Sequence, residues 1–147
     1  MQIIADTREQ TPYQFATITP RPDVVRQTLQ TGDYSLIGFE DRITIERKSK
    51  SDLFSSLGKG RKRFIRELER MQNFNFAAIL IEANWHSVLR QPPTRSKMNP
   101  VSVYVSLIAF AIRYGIHCWP CENRAMAERT CYRMLERYWK DHHKGIR

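Results

Sequence analysis

Three groups of charged side chains stand out in this 147-residue chain, each at the end of a run that reads as a β-strand. They are Asp6-Thr7-Arg8-Glu9, Gly32-Asp33, and Glu46-Arg47-Lys48 followed by Asp52. The segments DYSLIG and RITIER alternate and carry β-branched residues, and GFED between them reads as a turn. With that turn centred between Phe39 and Glu40, Asp33 falls opposite Glu46, and opposed residues on neighbouring strands share a face. Alternation adds Lys48 to that face and sends Ile43, Ile45 and Arg47 to the other. Two carboxylates so close repel unless a cation sits between them. A hard divalent ion such as Mg²⁺ takes one or two carboxylates with waters and substrate phosphate, and such an ion polarises a phosphoryl oxygen. Lys48 would then orient the attacking water or stabilise charge on the phosphate. Alone, Glu46 and Lys48 would read as an ordinary surface ion pair, with Asp33 as a turn residue.

The elements that must hold these groups follow from the flanking patterns. QIIADT reads as a strand, and RPDVVRQTLQTG as a short helix with Pro22 near its start and Gly32 after its end. SDLFSSLGKGRKRFIRELERMQ is helical in two pieces divided at Gly58 and Gly60, with Phe64, Ile65, Leu68 and Met71 as an apolar face. FAAILIEA has the length and continuity of a strand buried on both faces. QPPTRSKM reads as a loop. Asn99 caps a helix with Pro100 at its first position and Gly115 past its end. IHCWPC is the last strand. Asn123 caps a final helix whose stripe is Ala127, Cys131, Met134, Leu135 and Tyr138, and the tail KDHHKGIR reads as polar and frayed. Strands alternating with helices imply one α/β domain, a mixed sheet with helices on both faces.

Composition narrows the class. The formal charge of +9 points to a polyanionic partner, nucleic acid first. Asp6 and Arg8 interrupt the first apolar run, which argues against a signal peptide. The longest apolar stretch, Val101 to Ile112, is too short for a bilayer, which needs roughly 20 residues. An intracellular, soluble protein with no membrane role is expected. Three cysteines do not make a disulfide framework. The spacing Cys118-x-x-Cys121, with Cys131 and His142 or His143, invites zinc, but thiols on a strand and a helix stripe read better as small buried hydrophobes.

In order and spacing, these groups resemble the nuclease domain of the XPF family of structure-specific DNA endonucleases, whose signature is GD, a variable segment, ERK, three residues and D. Gly32-Asp33, Glu46-Arg47-Lys48 and Asp52 match it, as does the upstream D-x-R-E at Asp6, Arg8 and Glu9. MNPVSVYVSLIAFAIRYGI is similar to the penultimate helix of that domain and the strand after it. The resemblance implies a restriction-endonuclease-like three-layer sandwich that cuts DNA with Mg²⁺ or Mn²⁺, with a role in DNA repair or recombination. It assigns Asp33, Glu46 and the backbone carbonyl of Arg47 as metal ligands, Lys48 as the catalytic lysine and Asp6 as an accessory ligand. Arg8, Glu9, Arg47 and Asp52 would support the site. At a helix start, Asp52 equally suits a cap of free N–H groups, and both readings stand.

KGRKRFIRELER carries Lys59, Arg61, Lys62, Arg63, Arg66 and Arg70 just past the site, and Lys50 lies before it. Basic side chains near glycines suit phosphate contacts that ignore sequence, against the alternative of a solvated helix face partly neutralised by Glu67 and Glu69. Arg95 and Lys97 are further candidates. Eukaryotic and archaeal members of the family usually carry a tandem helix-hairpin-helix module after the nuclease, and a single nuclease domain without one is expected here. Choice among forked, flapped or branched DNA would then come from the nuclease domain, a second copy or another protein. The helix from Val101 to Tyr114 is apolar almost all round and calls for a partner on one side; the resemblance implies a homodimer or heterodimer through the last helices. A non-catalytic DNA-binding scaffold and a resolvase-like or RNA-cutting nuclease are the alternatives on the same fold.

Overall fold

The computed structural model describes residues 1–144. Its centre is a six-stranded mixed sheet in the order β2-β1-β3-β4-β5-β6. β1 (Gln2–Ala5) runs parallel to β2 (Asp23–Arg26) and antiparallel to β3 (Tyr34–Leu36), and β3 runs antiparallel to β4 (Ile43–Lys48). β4, β5 (Phe76–Ile81) and β6 (His117–Pro120) are mutually parallel. The helices are α1 (Lys50–Leu57), α2 (Arg61–Met71), α3 (Trp85–Arg90), α4 (Pro100–Tyr114) and α5 (Arg124–His142).

The sheet divides two apolar cores. On one face, Ile3, Tyr34, Leu36, Ile43 and Ile45 pack with Tyr13, Phe15 and the α5 stripe of Ala127, Cys131, Leu135 and Tyr138. On the other, Ile79 and Ile81 of β5 pack with Leu53, Phe54, Phe64, Leu68, Leu107 and Phe110 from α1, α2 and α4. The result is the expected three-layer arrangement. β5 carries the expectation of a doubly covered strand furthest, with Ala77 to Ile81 all buried. Each such Ile or Leu contributes about 1.5–3 kcal/mol on leaving water, so this strand anchors both halves.

The helix caps fall where the sequence pattern puts them. Asn99 accepts from the Val101 N–H, Asn123 from the Met126 N–H, and Gly115 ends α4 in the left-handed region at φ +65°. Gly58 and Gly60 separate α1 from α2. Two expectations need correction. The segment from Arg21 to Gly32 is not a helix: Val24 and Val25 form the edge strand β2 beside Ile3 and Ile4. Its Pro and Gly mark boundaries only, and two β-branched residues with a partner strand outweigh them. The tail is less frayed than expected, because α5 continues to His142; residues 145–147 of that tail lie outside the described residues. α3 has no counterpart among the expected elements. At six residues it is too short to show a period, yet Asn84 caps it by accepting from the Ser87 N–H at 2.7 Å.

Candidate active site

The hairpin register brings the carboxylates together. Tyr34 pairs with Ile45 across β3 and β4, and Asp33 N–H donates to the Ile45 carbonyl at 2.9 Å. Asp33 is thereby opposite Glu46, although the connection spans a wider loop than a two-residue turn. Gly32 makes this possible. Its φ is +82°, and a Cβ there would fall 2.0 Å from Thr44 Oγ1. Only glycine enters that conformation at so close an approach.

Asp33, Glu46 and Lys48 line one groove of about 480 Å³ between the sheet end and α1 and α2. Glu46 is 8 % exposed, and Lys48 Nζ donates to its Oε2 at 3.1 Å. Lys48 also stands over the Phe64 ring, 5.0 Å from the centroid. Burial works to lower the Lys48 pKa, but Glu46, Glu67 and Asp33 outweigh it and hold the ammonium charged. Asp33 Oδ2 accepts from the Arg47 N–H at 2.9 Å. Even so, burial first, then the charges of Glu46 and Glu9, push the Asp33 carboxyl up to about 9. A cation between Asp33 and Glu46 would reverse that shift. The donor set therefore suits a hard divalent ion. Among the described residues no three His, Cys, Asp or Glu side chains gather as a closed metal cage, so water and phosphate oxygens would complete the shell, as is usual for Mg²⁺.

Asp6 borders the same groove but is already occupied. Its Oδ2 accepts from Arg8 Nε at 2.7 Å and its Oδ1 from the Leu29 N–H at 2.8 Å. Burial favours its neutral form, but these bonds prevail and hold its pKa below the usual value. Asp6 thus fixes the loop of residues 28–31 beside the groove.

Arg47 points through the sheet to the other side, as alternation demands. Its guanidinium holds Glu82 at 2.9 and 3.0 Å, lies 3.6 Å from Glu9 and stacks over Tyr13. Tyr13 Oη donates to Glu82 at 2.5 Å, Tyr34 Oη to Glu9 at 3.0 Å, and Arg124 reaches Glu82 at 3.7 Å. The side chain of Arg47 thus joins a network with Glu82, Glu9 and Tyr13 and faces away from the groove.

Asp52 is not the cap of α1. Ser49 is, accepting from the Asp52 N–H at 3.1 Å. The Asp52 side chain lies in the first turn, where a negative charge favours the helix dipole, and borders the groove.

The basic residues separate by direction. Lys59, Arg63 and Arg70 line the groove. Lys62 and Arg66 are on α2 outside its lining. Arg61 folds over Phe110, 5.3 Å from its centroid, and Lys50 Nζ is held by Ser87 and the Gln91 carbonyl. Neither faces the groove.

Two residues escape a reading of the sequence. Glu67 lines the groove from α2, and burial followed by the charge of Glu46 lifts its carboxyl to about 7. Its position one turn after Phe64, beside the buried stripe, is the available signal. Glu82, just past β5, carries the Arg47 network; nothing in its local pattern marks it.

The fold is a mixed α/β sheet that gathers acidic and basic groups at its strand ends. The model of the ERCC4 domain matches residues 5–134, and the chain belongs to that family of nucleases. Among solved structures it is similar to XPF from Aeropyrum pernix, at 22 % identity and a TM-score of 0.73, over 98 % of this chain and 69 % of that one. A second structure of XPF from Aeropyrum pernix, in complex with DNA, gives 23 % identity and a TM-score of 0.74 over 95 % of this chain and 65 % of that one. The chain thus spans about two thirds of those proteins, and the likeness is one of fold. No curated protein matches the chain.

Proposed function

We propose that this protein is a metal-dependent DNA endonuclease that hydrolyses phosphodiester bonds at branched, forked or flapped DNA inside the cell. The observation that carries the reading is the convergence of Asp33, Glu46 and Lys48 at the floor of a groove whose rim holds Lys59, Arg63 and Arg70.

Asp33 and Glu46, with the Arg47 carbonyl, would hold Mg²⁺ or Mn²⁺, which when bound supplies a Lewis acid for the phosphate and its attacking water. Lys48, kept charged by Glu46, donates toward the phosphate and stabilises the charge that builds on it. Rim cations seat the flanking phosphates. The half-buried Arg47–Glu82 pair holds the β4 backbone, and Asp6 with Arg8 holds the opposite wall. Rim contacts to phosphate ignore sequence and favour recognition by shape.

A homodimer through α4 belongs to the same proposal. Val103, Leu107 and Phe110 of α4 are buried in the core, while Val101, Val105, Ile108 and Ile112 are exposed on its outer side.

The test is cleavage of labelled duplex, splayed-arm, flap and four-way DNA with Mg²⁺, Mn²⁺ or EDTA, with Asp33→Ala and Lys48→Ala alongside. Metal-dependent cutting of branched substrates that both substitutions abolish is expected. Cutting that survives both overturns the assigned site, and binding without cutting in either metal makes the protein a scaffold.

A further inference from the structure

A second groove of about 540 Å³ lies beside the one over Asp33 and Glu46. The two meet at Gln30, Thr31 and Arg70, which line both. The wall between them is held from below. Leu29 N–H donates to Asp6, its carbonyl accepts from Arg8 at 2.5 Å, and the Thr31 carbonyl accepts from Thr44 Oγ1 at 3.0 Å. Arg70 crosses the top. Its Nε donates to Thr31 Oγ1 at 3.1 Å, and its terminal nitrogens have no hydrogen-bond partner among the described residues. A guanidinium tethered by one bond and open at its two ends is a preorganised phosphate donor.

The grooves differ in chemistry. The first sets Arg8, Lys48, Lys59, Arg63 and Arg70 against the carboxylates around its floor, so cations are at hand for a phosphate. In the second, Arg70 is the only basic residue on the lining, and Glu40 and Asp41 stand there with Asn73, Gln30 and Phe74. Carboxylates repel a phosphate but accept from base N–H groups; side-chain amides do both, and a ring edge or face suits stacking. The volume is within the range of small-molecule sites and ample for one nucleoside.

We infer that the second groove takes an unstacked nucleoside adjoining the phosphate under attack, and that Arg70 binds the phosphate linking the two. The inference rests on the nuclease reading above and deepens it: the substrate is a strand with a nucleotide free to leave its stack, which a fork or flap provides and intact duplex does not.

Binding of fluorescein-labelled splayed-arm DNA in EDTA tests it without relying on cleavage. Arg70→Ala weakens binding about tenfold or more and lowers the salt slope by roughly one, whereas Arg21→Ala, an exposed charge outside both grooves, changes affinity little. A single abasic position is moved along each strand near the junction. One position is expected to weaken binding to the parent protein several-fold and to leave Asn73→Trp, whose added ring fills the groove, unaffected. Loss in Arg70→Ala equal to that in Arg21→Ala, or no abasic position that distinguishes parent from Asn73→Trp, overturns this inference while leaving the nuclease reading intact. Failure to bind any DNA overturns both.

Discussion

Arg47 and Lys48, neighbours in the chain, face opposite sides of the sheet and close two separate ion pairs: Lys48 with Glu46 at 3.1 Å toward the groove, Arg47 with Glu82 at 2.9 Å behind it. One strand end therefore carries a chemical group and its brace back to back. The brace is shielded, with side-chain exposure of 14 % for Arg47 and 7 % for Glu82. Glu82→Gln leaves the guanidinium short of a counter-charge in a low-dielectric setting. Removing such a partner is expected to cost about 1–3 kcal/mol, with calorimetry showing a Tm lower by several degrees. Cleavage should fall further than the population of folded protein explains, because β4 loses the grip that sets the Arg47 carbonyl.

Asp33 sets the stability of the metal-free protein against pH. Its folded pKa, about 9, is raised above an ordinary 3.8 by burial and then by Glu46 and Glu9. A raised acid binds its proton more tightly folded than unfolded, so its stabilising effect is complete below the ordinary pKa and is lost as pH rises through the folded one. In EDTA, Tm should therefore drop between the ordinary 3.8 and the folded value of about 9 as the groove gains charge. Asp33→Asn should flatten this decline and abolish cleavage while retaining DNA binding. Adding Mg²⁺ should restore alkaline stability to the parent and change little in Asp33→Asn, which has no such loss to recover. An unchanged pH profile in Asp33→Asn would show that the two carboxylates do not interact as the geometry requires.

Much of this site is legible in the sequence because its logic is local. A hairpin's turn sets register, register sets which residues oppose, and so alternation alone places Asp33, Glu46 and Lys48 on one face. Caps at Asn99, Gly115 and Asn123 are equally local, and they mark both ends of α4 and the start of α5. What escapes depends on contacts distant in sequence. Glu82 matters through Arg47 and Tyr13, which lie 35 and 69 residues away. Glu67 is an exposed-looking helix residue until α2 docks beside the end of β4. Val24 and Val25 become a strand only because β1 offers an edge. Direction is hidden too: Arg61 and Lys50 are basic and near the site in sequence, yet are turned to Phe110 and Ser87.

Glu67 makes metal-free DNA binding pH-sensitive. Its carboxyl is lifted to about 7 from 4.5 by burial and by Glu46. As pH rises through that value, the groove gains a negative charge that opposes phosphate. Affinity in EDTA at constant ionic strength should thus weaken from about pH 6 to about pH 8 in the parent. Glu67→Gln should remove this dependence and bind more tightly at the alkaline end, by about threefold to tenfold for one like-charge contact at the effective dielectric of a protein surface. Fluorescence anisotropy across that pH range provides the measurement. A parent and Glu67→Gln with parallel curves would place the carboxylate outside the phosphate path.

Gly32 should tolerate no side chain. Its φ of +82° disfavours any L-residue, and a Cβ would overlap Thr44 Oγ1 at 2.0 Å. Thr44 cannot yield freely, because its hydroxyl holds the Thr31 carbonyl at 3.0 Å. Gly32→Ala is expected to destabilise by about 2–4 kcal/mol through backbone strain and overpacking together, and to displace Asp33 enough to lose cleavage. Thr44→Ser with Gly32→Ala should recover part of the stability only if the clash is with the methyl; Thr44→Ala should recover more, since the nearest atom is the hydroxyl oxygen. Chemical denaturation of Gly32→Ala and the two double variants decides between these orders.

The outer face of α4 carries a continuous apolar stripe. Val101, Val105, Ile108 and Ile112 recur at helical spacing, and Ile112 is 80 % exposed. Water on such a stripe is unfavourable by about 25 cal/mol per Å², and a twofold contact between copies would let each stripe cover the other. Light scattering should give twice the chain mass for the parent. Val105→Asp and Ile112→Asp should each yield monomer with little change in Tm extrapolated to low concentration, since neither side chain belongs to the core. The pair also separates catalysis from assembly. If one groove suffices to cut, the monomeric variants keep cleavage of a flap while losing affinity for four-way DNA, which offers two arms to two copies. A parent that is monomeric at all concentrations would leave the stripe for a different protein and refute the homodimer.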